Sequence, residues 1–418
     1  MNKLFFCILL SSLLLILRVD AAQAQTGSIS VSGKITATEN GQPVRQASIS
    51  IDRKGVGTAT NTDGLFALII PANNLHDTLK VSCIGFKTKL FAIAGLTNGA
   101  TMNIALEKSI TELKEVNIAY YDAPKIIQKA IDRIGANYIN HPHILRGFYR
   151  MYTFSGTAPL QLSEAVFDVY NFGYADKHAD LFRLIKARNE KSERDFSKLE
   201  LGQKPNSVFE HDIVNHLAAC GFLNDEGLQN HQFNVAGITD VKGYQAYEID
   251  FKEKPGIVGA TYRGRIFIDT KTYAFIYFDF GLSPTGLADL GTGSFASRSL
   301  MRMGDVQIEL ESDHTEVSYQ EVGNKWVLAS VGGDNVLNVQ NPNSKSALLA
   351  NVKFNYQVTA VDTVQKQPFS SKLGRNESIN NHDSNAGEKF WKDYNILLSD
   401  YNTEDIFKKL QTINKALK

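Results

Sequence analysis

At 418 residues, 43% of them hydrophobic, the chain is long enough for two or three domains with ample cores. Its 44 basic and 44 acidic residues cancel, so no global field draws it to nucleic acid or to an acidic surface, and either partner would need a local patch. Residues 1–24 read as a secretory signal. Lys3 supplies the positive start, Leu4–Leu17 the apolar run and Ala22-Gln-Ala24 a small-residue cleavage site. The run is short for a membrane span and is closed by Arg18 and Asp20. Cys7 lies within it, away from the cleavage site, so no lipid-anchored cysteine is expected at the mature N-terminus. The mature chain is expected to begin near Gln25 and to be exported. No later stretch reaches ~20 apolar residues, so no membrane-spanning helix is expected in it.

Residues 25–118 read as short strands: Ser30–Ala37, Ala47–Ile51, Thr78–Cys83 and Thr101–Leu106 among them. Gly55–Phe66 reads as a strand, a tight turn and a second strand in a hairpin. Asp63-Gly64 is its turn dipeptide, since glycine accepts a positive φ without steric cost. Leu65–Ile70 then runs apolar into Pro71, which cannot donate to a ladder and ends the strand. Cys83 and Cys220 could pair in an oxidising compartment. Cys83, however, follows Leu79 and Val81 at period two, and Cys220 ends a predicted helix elsewhere, which favours two free buried thiols.

Gly33-Lys-Ile35, Gly41-Gln-Pro-Val44, Ala47-Ser-Ile-Ser-Ile51, Gly57-Thr-Ala-Thr-Asn-Thr-Asp-Gly-Leu-Phe66 and Val81-Ser-Cys-Ile-Gly-Phe-Lys87 together resemble the carboxypeptidase-like regulatory domain. The resemblance spans roughly residues 28–118. It implies a seven-stranded, transthyretin-like β-sandwich that serves as an accessory module and is not an enzyme. The family usually carries an aromatic residue where Cys83 stands, which implies local repacking. Glu112–Ile118 resembles the segment that closes this module ahead of another domain.

Residues 119–418 begin with a helix near 123–138. Asp122 is its expected N-cap, Pro124 lies in its first turn, and Ile126, Ile127, Ala130, Ile131 and Ile134 form its apolar face. About eleven strands follow, mostly as hairpins, from Leu145–Phe154 and Leu160–Phe172 to Val352–Val361. Tyr273–Phe278 is apolar on both faces, so it belongs at the centre of a sheet. A second helix is expected near 207–219 and a third near 403–417, capped by Asn402 or Thr403. Lys186–Lys204, Gly281–Met303 and Gln365–Lys389 read as connections.

These elements give a mainly β protein: the sandwich, then a curved antiparallel sheet, half-barrel-like, with a few packing helices. In element count the second part resembles the half-barrel of periplasmic lipoprotein carriers. Gly147-Phe-Tyr-Arg150, Ser163-Glu-Ala165 and Phe390-Trp-Lys-Asp-Tyr-Asn395 resemble an uncharacterised family of exported Gram-negative envelope proteins that joins this sandwich to a β-rich domain.

Catalytic and metal-binding patterns are not found. His211 and His216 are five apart, so they cannot act as i,i+4 ligands on one helix face, and His141-Pro-His143 reads as a solvated loop. No zinc-carboxypeptidase ligand set and no Gly-x-Ser-x-Gly elbow occurs, and Gly291–Ala296 lacks the ending of a phosphate loop. No cofactor is expected. Phe148, Tyr149, Tyr152, Tyr247, Phe267, Tyr273, Phe275, Tyr277 and Phe278 could stack on sugars or line a lipid cavity, but core packing accounts for them better.

One charge pair stands out. A hairpin symmetric about Thr157 sets Phe154 opposite Leu160, Tyr152 opposite Leu162 and Arg150 opposite Glu164. Arg150 and Glu164 are then expected to be the only opposite charges facing each other across these strands, in a role that fixes the register. Binding of a polar head group is the alternative role.

Three functions stay open. The first is a non-enzymatic envelope protein binding a ligand through its β-rich domain, the partner being a hydrophobic molecule, a glycan or a protein. The second is an assembly factor of the outer membrane or surface. The third is a hydrolase with an unrecognised site. The location is expected to be the periplasm or the outer membrane.

Overall fold

The computed structural model describes residues 27–109, 121–196, 208–259, 261–292, 302–303, 306–341, 346–365 and parts of 367–417. The signal expected at residues 1–24, the segment Glu112–Ile118 and parts of the connections expected at Lys186–Lys204, Gly281–Met303 and Gln365–Lys389 lie outside the described residues.

The N-terminal part has seven strands: β1 (Ile29–Ala37), β2 (Ser48–Ile51), β3 (Val56–Ala59), β4 (Leu65–Ile70), β5 (Thr78–Ser82), β6 (Lys89–Ala92) and β7 (Ala100–Leu106). They form two sheets, ordered β4-β1-β7 and β3-β2-β5-β6. Side chains alternate along each strand, so Val31, Ile35, Leu68 and Ile70 of one sheet meet Ile49, Ile51, Leu79 and Val81 of the other in a core closed to solvent.

Gly55–Phe66 is therefore not a hairpin. β3 and β4 lie in opposite sheets, and the chain between them crosses from one to the other. Asn61, not Asp63, organises the turn: its Oδ1 accepts from Asp63 N at 3.1 Å and from Leu65 N at 2.9 Å. Asp63 itself is exposed. Cys83 also departs from expectation. It lies just beyond β5, half-buried, and both Cys83 and Cys220 are free thiols.

Because this part holds its own closed core, a fragment spanning residues 25–118 is expected to unfold cooperatively on its own. A urea titration followed by circular dichroism that shows no transition would contradict this.

The second part is one large sheet of 12 strands. These are β8 (His143–Ser155), β9 (Ala158–Asn171), β10 (Leu181–Lys191), β11 (His231–Val241), β12 (Tyr244–Glu253), β13 (Tyr262–Asp269), β14 (Phe275–Leu282), β15 (Arg302–Met303), β16 (Val306–Ser312), β17 (Thr315–Val322), β18 (Lys325–Asn341) and β19 (Ser346–Asp362). The order is β10-β9-β8-β19-β18-β17-β14-β13-β12-β11, with β16 on β18 and β15 on β16. Every neighbouring pair is antiparallel, and β14 is central, as its two apolar faces require.

Three elements differ from expectation. Leu181–Lys191 is an edge strand, where a charged connection was expected to begin at Lys186; its charges are paired across to β9. Trp326–Val331 and Val336–Val339 are one long strand, β18. The connection after β14 contains a helix, Pro284–Thr292, whose start is held by Ser283: its Oγ accepts from Gly286 N at 3.0 Å and its carbonyl from Leu287 N.

The inner face of the sheet is filled. Helix α1 (Ala123–Asp132), capped by Asp122 through Lys125 N, packs Ile126, Ile127 and Ala130 into it, and a short turn of helix at Ile134–Asn137 follows. The segment 208–223 adds Phe209, Ile213, Cys220 and Phe222. That segment is not the continuous helix expected near 207–219. It is a series of single turns around Asp212, whose carbonyl accepts from Asn215 N and His216 N. The Asp212 side chain is drawn into the core instead, where the hydroxyls of Tyr319 and Tyr174 donate to it at 2.7 and 3.2 Å. The C-terminal helix spans Thr403–Lys415 with Asn402 as its cap, and Leu417, expected on its apolar face, is exposed beyond its end.

Candidate functional site

Two structures cover the outer face of the sheet: the C-terminal segment over β8, β9 and β10, and the sandwich over β13 to β19. Each meets a polar surface.

Under the C-terminal segment lies a ladder of charges centred on β9. Arg150 faces Glu164 in the register, with Nε 2.6 Å from Oε1, and the two side chains are 5% and 1% exposed. They are not the only opposed charges. Arg146 faces Asp168 in the same way, at 3.0 Å, because it lies four residues back on the same face. β10 adds a further arginine to each carboxylate, Arg188 to Glu164 at 2.6 Å and Arg183 to Asp168 at 2.5 Å. Each carboxylate on β9 is thus held between two guanidinium groups. At the turn the register shifts by one, so Phe154 faces Pro159 and not Leu160, and the loop tightens to Gly156-Thr157. A bulge there absorbs the odd residue.

This ladder anchors the C-terminal segment. Arg150 Nη1 donates to Leu397 O at 2.7 Å and Arg188 to Glu404 at 2.7 Å, while Arg188 also lies over the rings of Trp391 and Phe407. Tyr152 hydrogen-bonds Ser399. The anchored segment in turn grips the sandwich. The Asn395 amide accepts from Ile69 N at 2.7 Å and donates to Ile69 O at 3.0 Å, so it pairs with edge strand β4 as a backbone would. Thr62 donates to Asp400 through both its amide and its hydroxyl.

The other hold on the sandwich is the turn between β2 and β3. Gly55, at φ +68°, comes so close to the sheet that a Cβ would meet Val361 at 2.8 Å and Val322 at 3.0 Å. Arg53 pairs with Glu321 at 3.1 Å beside it.

Between these two holds the surfaces part. A cleft of about 460 Å³ opens between the sandwich and the outer face of β13, β14, β17, β18 and β19. Its floor carries the polar side chains Ser318, Gln320, Ser330, Asn355 and Gln357 beside Phe267, Tyr277 and Ala329. Ser318 and Ser330 satisfy each other at 2.8 Å, and Gln357 donates to Ala329 O. Gln320 Nε2 and Asn355 Oδ1 are shut off from solvent and have no protein partner. Such atoms are uncommon in folded proteins and each costs ~1–3 kcal/mol when left unpaired.

The roof comes from residues 40–46, 57–59 and 83–86 of the sandwich. Residues 31–118 match the family model of the CarboxypepD_reg-like domain. The cleft therefore lies between a CarboxypepD_reg-like domain and the sheet that follows it in the chain. Cys83 lines this roof, and burial pushes its thiol up to about 11.

No curated protein matches the chain. Among solved structures, one similar chain is a DUF1329 family protein from Desulfovibrio piger, 10% identical, with a TM-score of 0.23, covering 59% of this chain and 96% of that one. Another is a LolA superfamily protein from Nitrosomonas europaea, 8% identical, with a TM-score of 0.21 over the same shares.

The other chemistry weighed from the sequence finds these places. His143 is buried, its Nδ1 tied to His141 O, and burial pushes it down to about 4, while His141 is exposed. His216 binds the Asp212 carbonyl and His211 packs near Phe354, so the two do not converge. Among the described residues no three His, Cys, Asp or Glu side chains gather as metal ligands. One histidine–acid pair, missed in the sequence, borders the cleft region: His314 Nε2 lies 2.8 Å from Asp279, which raises the imidazole above its usual range. Arg265 holds the same carboxylate at 2.5 Å. That is an ion cluster; the carboxylate is shared with an arginine, and no described hydrogen bond joins the imidazole to a hydroxyl or thiol nucleophile. Of the aromatic side chains named in the sequence, Tyr149, Tyr247, Phe275 and Phe278 lie in the inner core, Phe148 and Tyr152 pack under the C-terminal segment, and Phe267 and Tyr277 line the cleft.

Proposed function

We propose that this is an exported cell-envelope protein that binds a small polar ligand, without transforming it, in the cleft between the CarboxypepD_reg-like domain and the outer face of the large sheet. The observation that carries the reading is the pair Gln320 Nε2 and Asn355 Oδ1, two enclosed polar atoms without protein partners on the floor of one cleft. A ligand bearing hydroxyl, amide or carboxylate groups, reaching these atoms as the side chains over them move aside, offsets their desolvation. The inner face, where an apolar ligand would be sought, is occupied by Phe209, Phe222 and the residues of α1. Export rests on the signal-like residues 1–24. The sandwich is then half of the site, and its contacts with the sheet and the C-terminal segment fix the width of the cleft.

The test is native mass spectrometry of the protein isolated from its own envelope, with a Gln320→Leu variant beside it. The wild type is expected to carry a water-soluble adduct that unfolding releases, and the variant to lack it. The variant is also expected to be more stable by ~1 kcal/mol without ligand, because an unpaired enclosed amide has been replaced by an apolar group. A phospholipid adduct, or an adduct equally present in both proteins, would overturn the proposal.

A further inference from the structure

The cleft carries a charge pattern that its polar floor does not require. Four cations line it, Arg45, Lys108, Lys242 and Arg265, against two carboxylates, Asp279 and Glu316. Lys108 is paired with Glu39, and Arg265 with Asp279 and Glu248. Glu316 lies close enough to Tyr277 and Lys242 to bear on the charge of each. Arg45 and Lys242 remain, and among the described residues neither side chain has an ion-pair or hydrogen-bond partner.

Lys242 is held there by backbone geometry. It is the first residue of the two-residue turn Lys242-Gly243 between β11 and β12, with φ +55° followed by φ +87° at Gly243. Turns of this kind favour Asn, Asp or Gly at the first position, because a side chain with a positive φ is strained. The turn is also packed on the sandwich: Gly85 N donates to Asp240 O at 3.4 Å, and a Cβ on Gly243 would meet Thr88 Oγ1 at 2.9 Å. A costly residue in a fixed turn thus presents an unpaired ammonium to a partly enclosed space. Burial, then the nearby Lys80, push that ammonium down to about 8, so it is still protonated at neutral pH. Arg45 enters from the opposite wall, on the sandwich loop whose carbonyl lies 3.9 Å from Cys83 Sγ.

We propose that the ligand of this cleft is anionic, and that Lys242 and Arg45 hold its carboxylate or phosphate group while Gln320 and Asn355 bind its neutral polar part. The inference rests on the polar-cleft reading above and adds the charge of the ligand. An anion there gains charge-assisted hydrogen bonds from the exposed Arg45 and from the half-buried Lys242, and offsets the burial and the Lys80 repulsion that Lys242 meets.

The experiment is thermal unfolding of the mature protein at constant ionic strength, titrated separately with inorganic phosphate, acetate and glucose. The wild type, Lys242→Met, Lys242→Arg and Gln320→Leu are compared, with Lys409→Met in a separate groove as control. Phosphate, acetate or both are expected to raise the Tm of the wild type and of Lys409→Met saturably. Lys242→Met is expected to weaken the apparent affinity by about tenfold or more, and Lys242→Arg to retain most of it. Whichever anion acts identifies the group the ligand carries. An equal anion effect in the wild type and Lys242→Met, marking an adventitious ion only, would overturn the proposal. A glucose effect lost in Gln320→Leu, with no anion effect, would overturn the anionic assignment and leave the polar cleft standing. No effect of any probe in any variant would overturn both.

Discussion

Glu164→Ala is expected to destabilise the protein by ~3–5 kcal/mol, the loss typical of breaking a buried ion pair and leaving its partner charged. Glu164 is 1% exposed and is the common partner of Arg150 and Arg188. Removing its carboxylate leaves two guanidinium groups facing each other on the outer face of β8 to β10. Arg150, 5% exposed, keeps only the Leu397 carbonyl and the faces of Phe148 and Tyr152. Arg188 keeps Glu404, which is half-exposed and screened. The effect is expected to spread, because Arg150 and Arg188 anchor Leu397 and Glu404, and the segment between them holds the sandwich through Asp400. Urea unfolding should show a lower midpoint. Glu164→Gln, which keeps the shape and one acceptor, should lose less than Glu164→Ala. A loss below ~1 kcal/mol, the range of exposed pairs, would show that the ladder does not carry this load.

Gly64→Val is expected to cost ~3 kcal/mol or more, through two separate causes. Gly64 has φ +74°, a conformation in which a β-branched residue is strained by ~1–3 kcal/mol. In addition, a Cβ there would lie 2.4 Å from Ile35 O, and that atom is backbone of β1 and cannot rotate away. The same turn ties β1 to the crossover, with Ile35 N donating to Gly64 O at 2.8 Å. Displacing it opens the junction between the two sheets of the sandwich. Gly64→Ala removes the β-branch but not the contact, so it should recover only part of the loss. A Tm of the Val variant equal to that of the wild type would contradict the crossover geometry.

Where a residue's partners are near in sequence, the pattern was legible. Asp122 and Asn402 cap the helices they were expected to cap. The alternation of the strands marks both the sandwich and the curved sheet, and the spacing of Arg150 and Glu164 about the turn gives their pairing. Where partners come from a third element, it was not. The second half of β10 looked like a charged connection because Lys186, Arg188, Glu190 and Lys191 open a charged stretch. The carboxylates that pair with Arg183 and Arg188 lie on β9, and no local signal reports that. Phe182 and Ala187, both buried, with the charges between them, are the alternation that a bulge at Leu184/Lys186 interrupts. Gly55–Phe66 contains a true turn, but a turn within one sheet and a crossover between two share the same local residues. The choice is made by the core on which β3 and β4 both close. The cleft is the extreme case. Arg45 and Lys242 lie almost 200 residues apart in sequence, and nothing local to Gln320 and Asn355 marks their strand faces as part of a site. Only the docking of the sandwich encloses them.

The most direct test of the polar cleft is a crystal structure of the protein isolated from its own envelope. The prediction is ordered density for a small polar molecule between the sandwich and the sheet, within hydrogen-bond distance of Gln320 Nε2 and Asn355 Oδ1 and with an acidic group against Lys242. A cleft occupied by water alone, or an acyl chain inserted beneath the inner face among Phe209 and Phe222, would contradict it.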